Sequence, residues 1–135
     1  MATKVLDSWA VLAFYKGEPA GEDVERLIES ASTSGKPLLL SAVNWAEIYY
    51  TMERAGGRQA ADEAVADLAT LPIDVVGVGD DLKLARLAAQ FKATHKMSLA
   101  DAFAAALAKE KKAELVTGDP EFKALEKEIK LSWLK

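Results

Sequence analysis

The chain contains no cysteine. A disulfide framework, a thiolate zinc site and a cysteine nucleophile are therefore excluded. Histidine occurs once, as His95, and a helix-end role is favoured for it over a metal-ligand or base role. No apolar stretch approaches the ~20 residues that a membrane helix needs. Met1-Ala2-Thr3-Lys4 runs directly into a strand-like segment, so no signal peptide is expected. With the lack of cysteine, this fits a cytoplasmic location away from any membrane. An excess of basic residues is missing too: 17 Lys and Arg face 21 Asp and Glu, a net charge of −4. That argues against a high-affinity, nonspecific nucleic-acid coat.

Half of the 135 residues are apolar, enough for one substantial core. Residues 3–7 read as a short buried strand, and Ser8 can cap a helix from Trp9 to Lys16. Gly17-Glu18-Pro19 breaks it. Val24, Leu27, Ile28 and Ala31 share one face of a helix over 21–34. Leu38-Leu39-Leu40 fits a central parallel strand. Ser41 caps a helix carrying Trp45, Ile48, Tyr49 and Met52 on one face, and Gly56-Gly57 ends it. Further helices are expected over 58–70, 80–94 and from Ser98 to Lys112, with strands over 72–78, 114–117 and 129–133. Strands alternating with helices imply βαβ units and a mostly parallel sheet. The expected architecture is α/β: one three-layer α/β/α domain spanning residues 1–135.

Four acids fall where strands hand over to helices: Asp7, Glu47, Asp101 and Asp119. Open α/β sheets bind ligands outside the carboxyl ends of their strands. Carboxylates gathered there repel one another unless a divalent cation sits among them. Oxygen-only ligands select Mg²⁺ or Mn²⁺ over zinc. Set those four acids aside and 17 acids face 17 bases, so the acidic balance is compatible with a cation site acting on phosphodiesters.

Each acid also has a plainer reading. Asp7 can cap a helix or sit in a turn. Glu47 shares a polar stripe with Asn44, Thr51 and Arg54, which can be a solvated helix face. Ser98-Leu99-Ala100-Asp101 fits a capping box, yet small neighbours (Ala102, Ala104, Ala105, Ala106, Ala108) let that helix approach the sheet and bring Asp101 near the strand ends. Asp119 precedes Pro120, a common turn pattern; in the functional reading it contacts metal, Thr117 orients a ligand or water, and Glu121 joins them. Asp80-Asp81 is read as a helix start, His95 as a helix-end residue, and Lys109, Lys111 and Lys112 as a solvated helix terminus.

Four blocks carry a family resemblance: Val5-Leu6-Asp7-Ser8, then Ser41-Ala42-Val43-Asn44-Trp45-Ala46-Glu47, then Ser98-Leu99-Ala100-Asp101-Ala102, then Thr117-Gly118-Asp119-Pro120-Glu121-Phe122. In this order and spacing the chain resembles PIN-domain ribonucleases, and among them VapC-type toxins. The resemblance implies a metal-dependent endoribonuclease, the toxin of a toxin–antitoxin pair. It assigns an acidic quartet, Asp7, Glu47, Asp101 and Asp119, to catalysis and to Mg²⁺ or Mn²⁺, supported by Ser8, Asn44, Ser98 and Thr117. It also implies an RNA substrate, a small antitoxin that can place a basic side chain in the acidic pocket, and a homodimer using Phe14, Tyr15, Tyr49 and Tyr50. Trp9 departs from the small residue many relatives carry and is expected at the pocket rim. The alternatives are a non-cleaving PIN-like module that binds RNA or a partner, and a housekeeping RNA-processing nuclease. A haloacid-dehalogenase-type hydrolase wants a second Asp where Trp9 stands, and a phosphoacceptor receiver domain wants an acidic pair where Asp7 stands alone.

Overall fold

The computed structural model describes residues 2–135; Met1 lies outside them. Five strands form one sheet: β1 (Lys4–Leu6), β2 (Leu38–Ser41), β3 (Ile73–Val76), β4 (Glu114–Thr117) and β5 (Lys130–Trp133). Their order is β3-β2-β1-β4-β5, and every adjacent pair is parallel. The helices are α1 (Ser8–Tyr15), α2 (Pro19–Ser34), α3 (Ala42–Gly56), α4 (Arg58–Leu68), α5 (Lys83–Thr94) and α6 (Leu99–Glu110), with a 3-10 helix over Pro120–Leu125.

Register explains the layers. Val5 aligns with Leu39 and Leu115, while Leu6 aligns with Leu40 and Val116. Successive side chains of a strand point to opposite faces. Val5 and Leu115 accordingly pack with Leu84, Ala88, Phe91 and the α6 residues Phe103 and Leu107. Leu6, Leu40 and Val116 pack with Val11, Val24, Ile28, Ile48 and Leu68 of α1 to α4. The expected three-layer α/β/α fold with a parallel sheet is what forms, and the sheet is parallel throughout.

Alanine lets α6 press close. Ala102, Ala104, Ala105, Ala106 and Ala108 are all fully buried, so the helix axis approaches β1, β2 and β4 and its first turn reaches the strand ends. On the other face Gly21 permits α2 to touch α1: a Cβ there would meet the Ala13 carbonyl oxygen at 2.6 Å.

Several boundaries differ from the sequence reading. The cap of α1 is Asp7, not Ser8: its side chain accepts from the Ala10 N–H at 2.8 Å, and Ser8 is the first helical residue. Either side chain can cap; β1 ends at Leu6, one residue earlier than expected, and that shifts the cap back. Helix α2 starts at Pro19, whose fixed φ suits a first helical turn. Helix α4 stops at Leu68, α6 at Glu110, and β3 pairs only over 73–76. Helix α5 begins at Lys83 rather than residue 80, because Leu82 takes a left-handed φ of 60°; Asp81 accepts from the Lys83 N–H instead. His95 is the C-cap of α5, as expected of a helix-end residue.

Candidate active site

Strand order reverses between β1 and β4. The chain builds β1, β2 and β3 in one direction, then crosses back to lay β4 and β5 on the other side. The loops leaving β1 and β4 diverge there and open the crevice in which such sheets take ligands. Asp7 leaves β1 at this point, and Gly118-Asp119 leave β4.

Thr117 joins the two strand ends. Its hydroxyl donates to Asp7 Oδ2 at 2.5 Å and accepts from the Asp119 N–H at 3.0 Å. Asp7 Oδ1 is occupied by the Ala10 N–H, so both Asp7 oxygens are hydrogen-bonded and the side chain is fully buried. Burial pushes its carboxyl up to about 7, against the lowering by the Thr117 and Ala10 hydrogen bonds; the charges of Asp101 and Asp119 push it further up.

Asp101 arrives from α6. Ser98 caps that helix, its hydroxyl accepting from the Asp101 N–H at 3.1 Å, which fixes the first turn. Burial, then the charges of Asp119 and Glu47, raise the Asp101 carboxyl to about 6; the Ser98 hydroxyl counteracts this. Asp119 caps the 3-10 helix, its Oδ1 accepting from the Glu121 N–H at 3.0 Å. That turn returns Glu121 over the site. Carboxylate oxygens of Asp101, Asp119 and Glu121 lie within 4.8 Å of one another.

The four acids singled out in the sequence therefore stand in different relations. Asp101 and Asp119 meet directly, with Glu121. Asp7 lies behind them, in electrostatic reach of both. Glu47 is half-buried on α3, in electrostatic reach of Asp101. Its Oε2 accepts from the Tyr50 hydroxyl at 3.3 Å, and the Arg54 guanidinium stacks 4.8 Å from the Tyr50 ring centre. Sequence reading places Tyr50 only in an aromatic surface; the i, i+3 spacing from Glu47 is the signal for this contact.

The supporting polar residues are load points of packing. Asn44 is fully buried, and its amide donates to Ser8 Oγ at 2.9 Å and to the Ala100 carbonyl at 3.2 Å. One side chain thus ties α3 to α1, which Asp7 caps, and to α6, which carries Asp101. Asn44 Oδ1 is buried without a hydrogen-bond partner among the described residues. Trp9 covers the loop after β4: its ring occupies the place a Cβ on Gly118 would take, 2.2 Å from the nearest ring atom. Only glycine fits under that ring, which puts Trp9 against the residue before Asp119.

A hard divalent cation fits this donor set: three clustered carboxylates, a fourth behind them, and no thiol. The lone imidazole is elsewhere, His95 Nε2 lying 2.9 Å from Glu128. Ion pairs among the described residues, Lys4–Glu114, Arg26–Asp23, Arg58–Glu53 and His95–Glu128, leave the clustered acids out.

The PIN domain family model matches residues 4–128, nearly the whole chain. The chain belongs to the PIN domain family. Solved structures with this PIN fold include the DNA-bound VapBC of Salmonella typhimurium, 15% identical with a TM-score of 0.73, covering 98% of each chain. VapBC2 of Rickettsia felis bound to a promoter DNA fragment is 14% identical, with a TM-score of 0.72 over 98% of this chain and 99% of that one. VapC20 of Mycobacterium tuberculosis, a Sarcin-Ricin loop cleaving toxin, is 22% identical, with a TM-score of 0.68 over 90% of this chain and 94% of that one. At these identities the likeness is one of fold. No curated protein matches the sequence. No helix among the described residues is long and apolar enough to cross a membrane.

Proposed function

We propose that this PIN domain is a Mg²⁺- or Mn²⁺-dependent endoribonuclease, the toxin of a toxin–antitoxin pair acting in the cytoplasm. The observation that carries the reading is the cluster of Asp101, Asp119 and Glu121, backed by Asp7 at the β1/β4 switch point and neutralised by no cationic side chain among the ion pairs found. PIN nucleases generally use divalent metal, and the cleavage of an RNA loop by a toxin of the same fold supports RNA as substrate.

Asp101 and Asp119 would hold the cation, with Glu121, Asp7 and Glu47 as the remaining acids of the set. When bound, the cation supplies Lewis acidity toward the phosphodiester and the attacking water, and charge to offset the developing negative oxygens. The protein's own groups do the positioning. Thr117 fixes the rotamer of Asp7 and the backbone of Asp119 through one hydroxyl. Tyr50 orients Glu47 by donating its hydroxyl to the carboxylate, and Glu47 would help position the attacking water. Asn44, Ser8 and Ser98 hold α1, α3 and α6 at the spacing that gathers the acids.

The fold neighbours solved as VapBC complexes support a small antitoxin as partner. An arginine from it would find carboxylates suited to a charge-assisted contact. For a homodimer, Tyr50 offers the exposed aromatic surface. All three tyrosine hydroxyls are spent inside the chain, Tyr15 on Asp67 at 2.9 Å, Tyr49 on Asp62 at 2.7 Å and Tyr50 on Glu47 at 3.3 Å, so the Tyr50 ring is what remains for a partner.

Purified protein incubated with structured RNAs, with Mg²⁺ or Mn²⁺ and with chelator, beside Asp101→Asn, tests the reading. Cleavage is expected with metal, and a loss of at least about 100-fold in the variant, beyond the ~10–100-fold that losing an outer partner of a ligand costs. Metal-independent cleavage, or full activity in Asp101→Asn, contradicts it. Metal and RNA binding without cleavage would give the non-cleaving module instead.

A further inference from the structure

The acidic cluster explains where a phosphodiester would be cut but not how an acidic protein grips a single strand beside it. Trp133 answers that. It is one of few large apolar side chains left exposed, with 44% of its surface accessible. It ends β5, the edge strand, and its register partner across the ladder is Thr117, the residue that bonds both Asp7 and Asp119. The Leu134 N–H donates to the Thr117 carbonyl at 2.9 Å, so this end of β5 is held firmly to the site.

Trp133 lines a surface hollow of about 320 Å³ with Gly118, Pro120, Lys123 and Glu126. Gly118 and Pro120 flank Asp119 in the chain. Gly118 is thus shared: the Trp9 ring packs on it, and it also forms a wall of the Trp133 hollow. A second hollow continues along β5, sharing Trp133 and Glu126 and adding Glu114, Ile129, Lys130 and Leu131.

We propose that the hollow of Trp133, Pro120 and Lys123 docks one unpaired nucleotide of an RNA strand whose neighbouring phosphodiester lies at the acidic cluster. An indole and a proline ring present flat apolar faces, and base–aromatic stacking tolerates any base because every base has a π-face. Lys123 supplies a cation for the adjoining phosphate. Glu126 is the one acidic liner of that hollow, which favours a nucleotide seated base-first with its phosphate on the lysine side. Continuity with the acidic cluster decides for RNA over a protein segment: the same short loop carries a liner on either side of Asp119. This inference rests on the nuclease reading above.

The test is the affinity of the full chain for a short fluorescent single-stranded oligoribonucleotide, read by anisotropy with Ca²⁺ in place of Mg²⁺ and the RNA checked intact on a gel. Trp133→Ala is expected to weaken binding about 5- to 100-fold, and Trp133→Phe to restore most of it. Lys123→Ala is expected to weaken binding less and to reduce the slope of log affinity against log salt by about 0.7, one phosphate contact on a single strand. Mn²⁺ affinity, measured by calorimetry without RNA, stays unchanged in all three. Unchanged RNA affinity in Trp133→Ala and an unchanged salt slope in Lys123→Ala overturn the subsite and leave the nuclease reading standing. Unchanged RNA affinity with weakened self-association in sedimentation would assign the surface to a second copy and also overturn it. Failure of the unsubstituted protein to bind RNA sinks both.

Discussion

The two ends of the sheet treat charge in opposite ways. At the amino end, Lys4 Nζ meets Glu114 Oε1 at 2.8 Å across neighbouring strands, beside a largely apolar hollow of about 210 Å³ lined by Leu27, Ala31, Pro37 and Leu38. At the carboxyl end, Asp101, Asp119 and Glu121 crowd together with Asp7 behind them. The sheet pairs an acid with a lysine at the amino end and gathers acids without such a partner at the carboxyl end. Surface ion pairs contribute little to stability, whereas clustered like charges cost it. The unbalanced end is therefore the one that needs a reason, and the divalent cation proposed above would supply it.

Apart from the clustered acids themselves, the largest effect should come from the hydroxyl that joins β1 to β4. Thr117→Val keeps the side chain's shape but removes the donor to Asp7 and the acceptor of the Asp119 N–H. A loss of about 1–3 kcal/mol in chemical denaturation is expected, the cost of leaving buried polar groups unpaired. RNA cleavage should fall by about 10- to 100-fold with it. Unaltered cleavage in a folded Thr117→Val protein would detach Thr117 from the site.

Acidity should separate the two ends next. Asp7 titrates near 7 and Asp101 near 6 in the folded protein, both raised from 3.8 chiefly by burial. A raised folded value means stability that is complete below the unfolded value and lost as pH climbs through the folded one. The metal-free protein is thus expected to be more stable at pH 5 than at pH 8, by on the order of 4 kcal/mol. Saturating Mg²⁺ should shrink that gap, since the cation replaces the protons. Greater stability at pH 8 without metal would contradict the buried, raised carboxyls.

Gly118→Ala sharpens the account of Trp9. The added methyl has no room beneath the ring, so a loss of about 1–3 kcal/mol is expected. Trp9→Ala in the same chain should recover part of that loss, and a strictly additive double variant would mean the two do not touch. The smallest effect belongs to the amino end: Lys4→Ala should cost no more than about 1 kcal/mol and leave cleavage unchanged. A drop in cleavage there would erase the contrast between the ends.

Much of this was legible in the residues. Leu38-Leu39-Leu40 and Leu115-Val116 are short apolar runs that suit a buried parallel strand, and the alanines of α6 foretell its close approach. Ser98 and Ser41 cap where their positions suggest. What the sequence could not rank was competition between equivalent groups. Asp7 and Ser8 can each cap α1, and the end of β1 decided it. The 3-10 helix over 120–125 has no long periodicity to betray it, yet its first turn is what returns Glu121 to Asp119. Contacts distant in sequence were also hidden: Asn44 to Ala100, Thr117 to Asp7, and Trp9 over Gly118 depend on strand order, which local pattern does not carry.

The most direct measurement is calorimetric titration of the metal-free protein with Mn²⁺, beside Asp101→Asn and Lys4→Ala. The account predicts binding in the unsubstituted chain and in Lys4→Ala, and its loss in Asp101→Asn. No binding in the unsubstituted chain, or undiminished binding in Asp101→Asn, would contradict a cation site at the carboxyl end of the sheet.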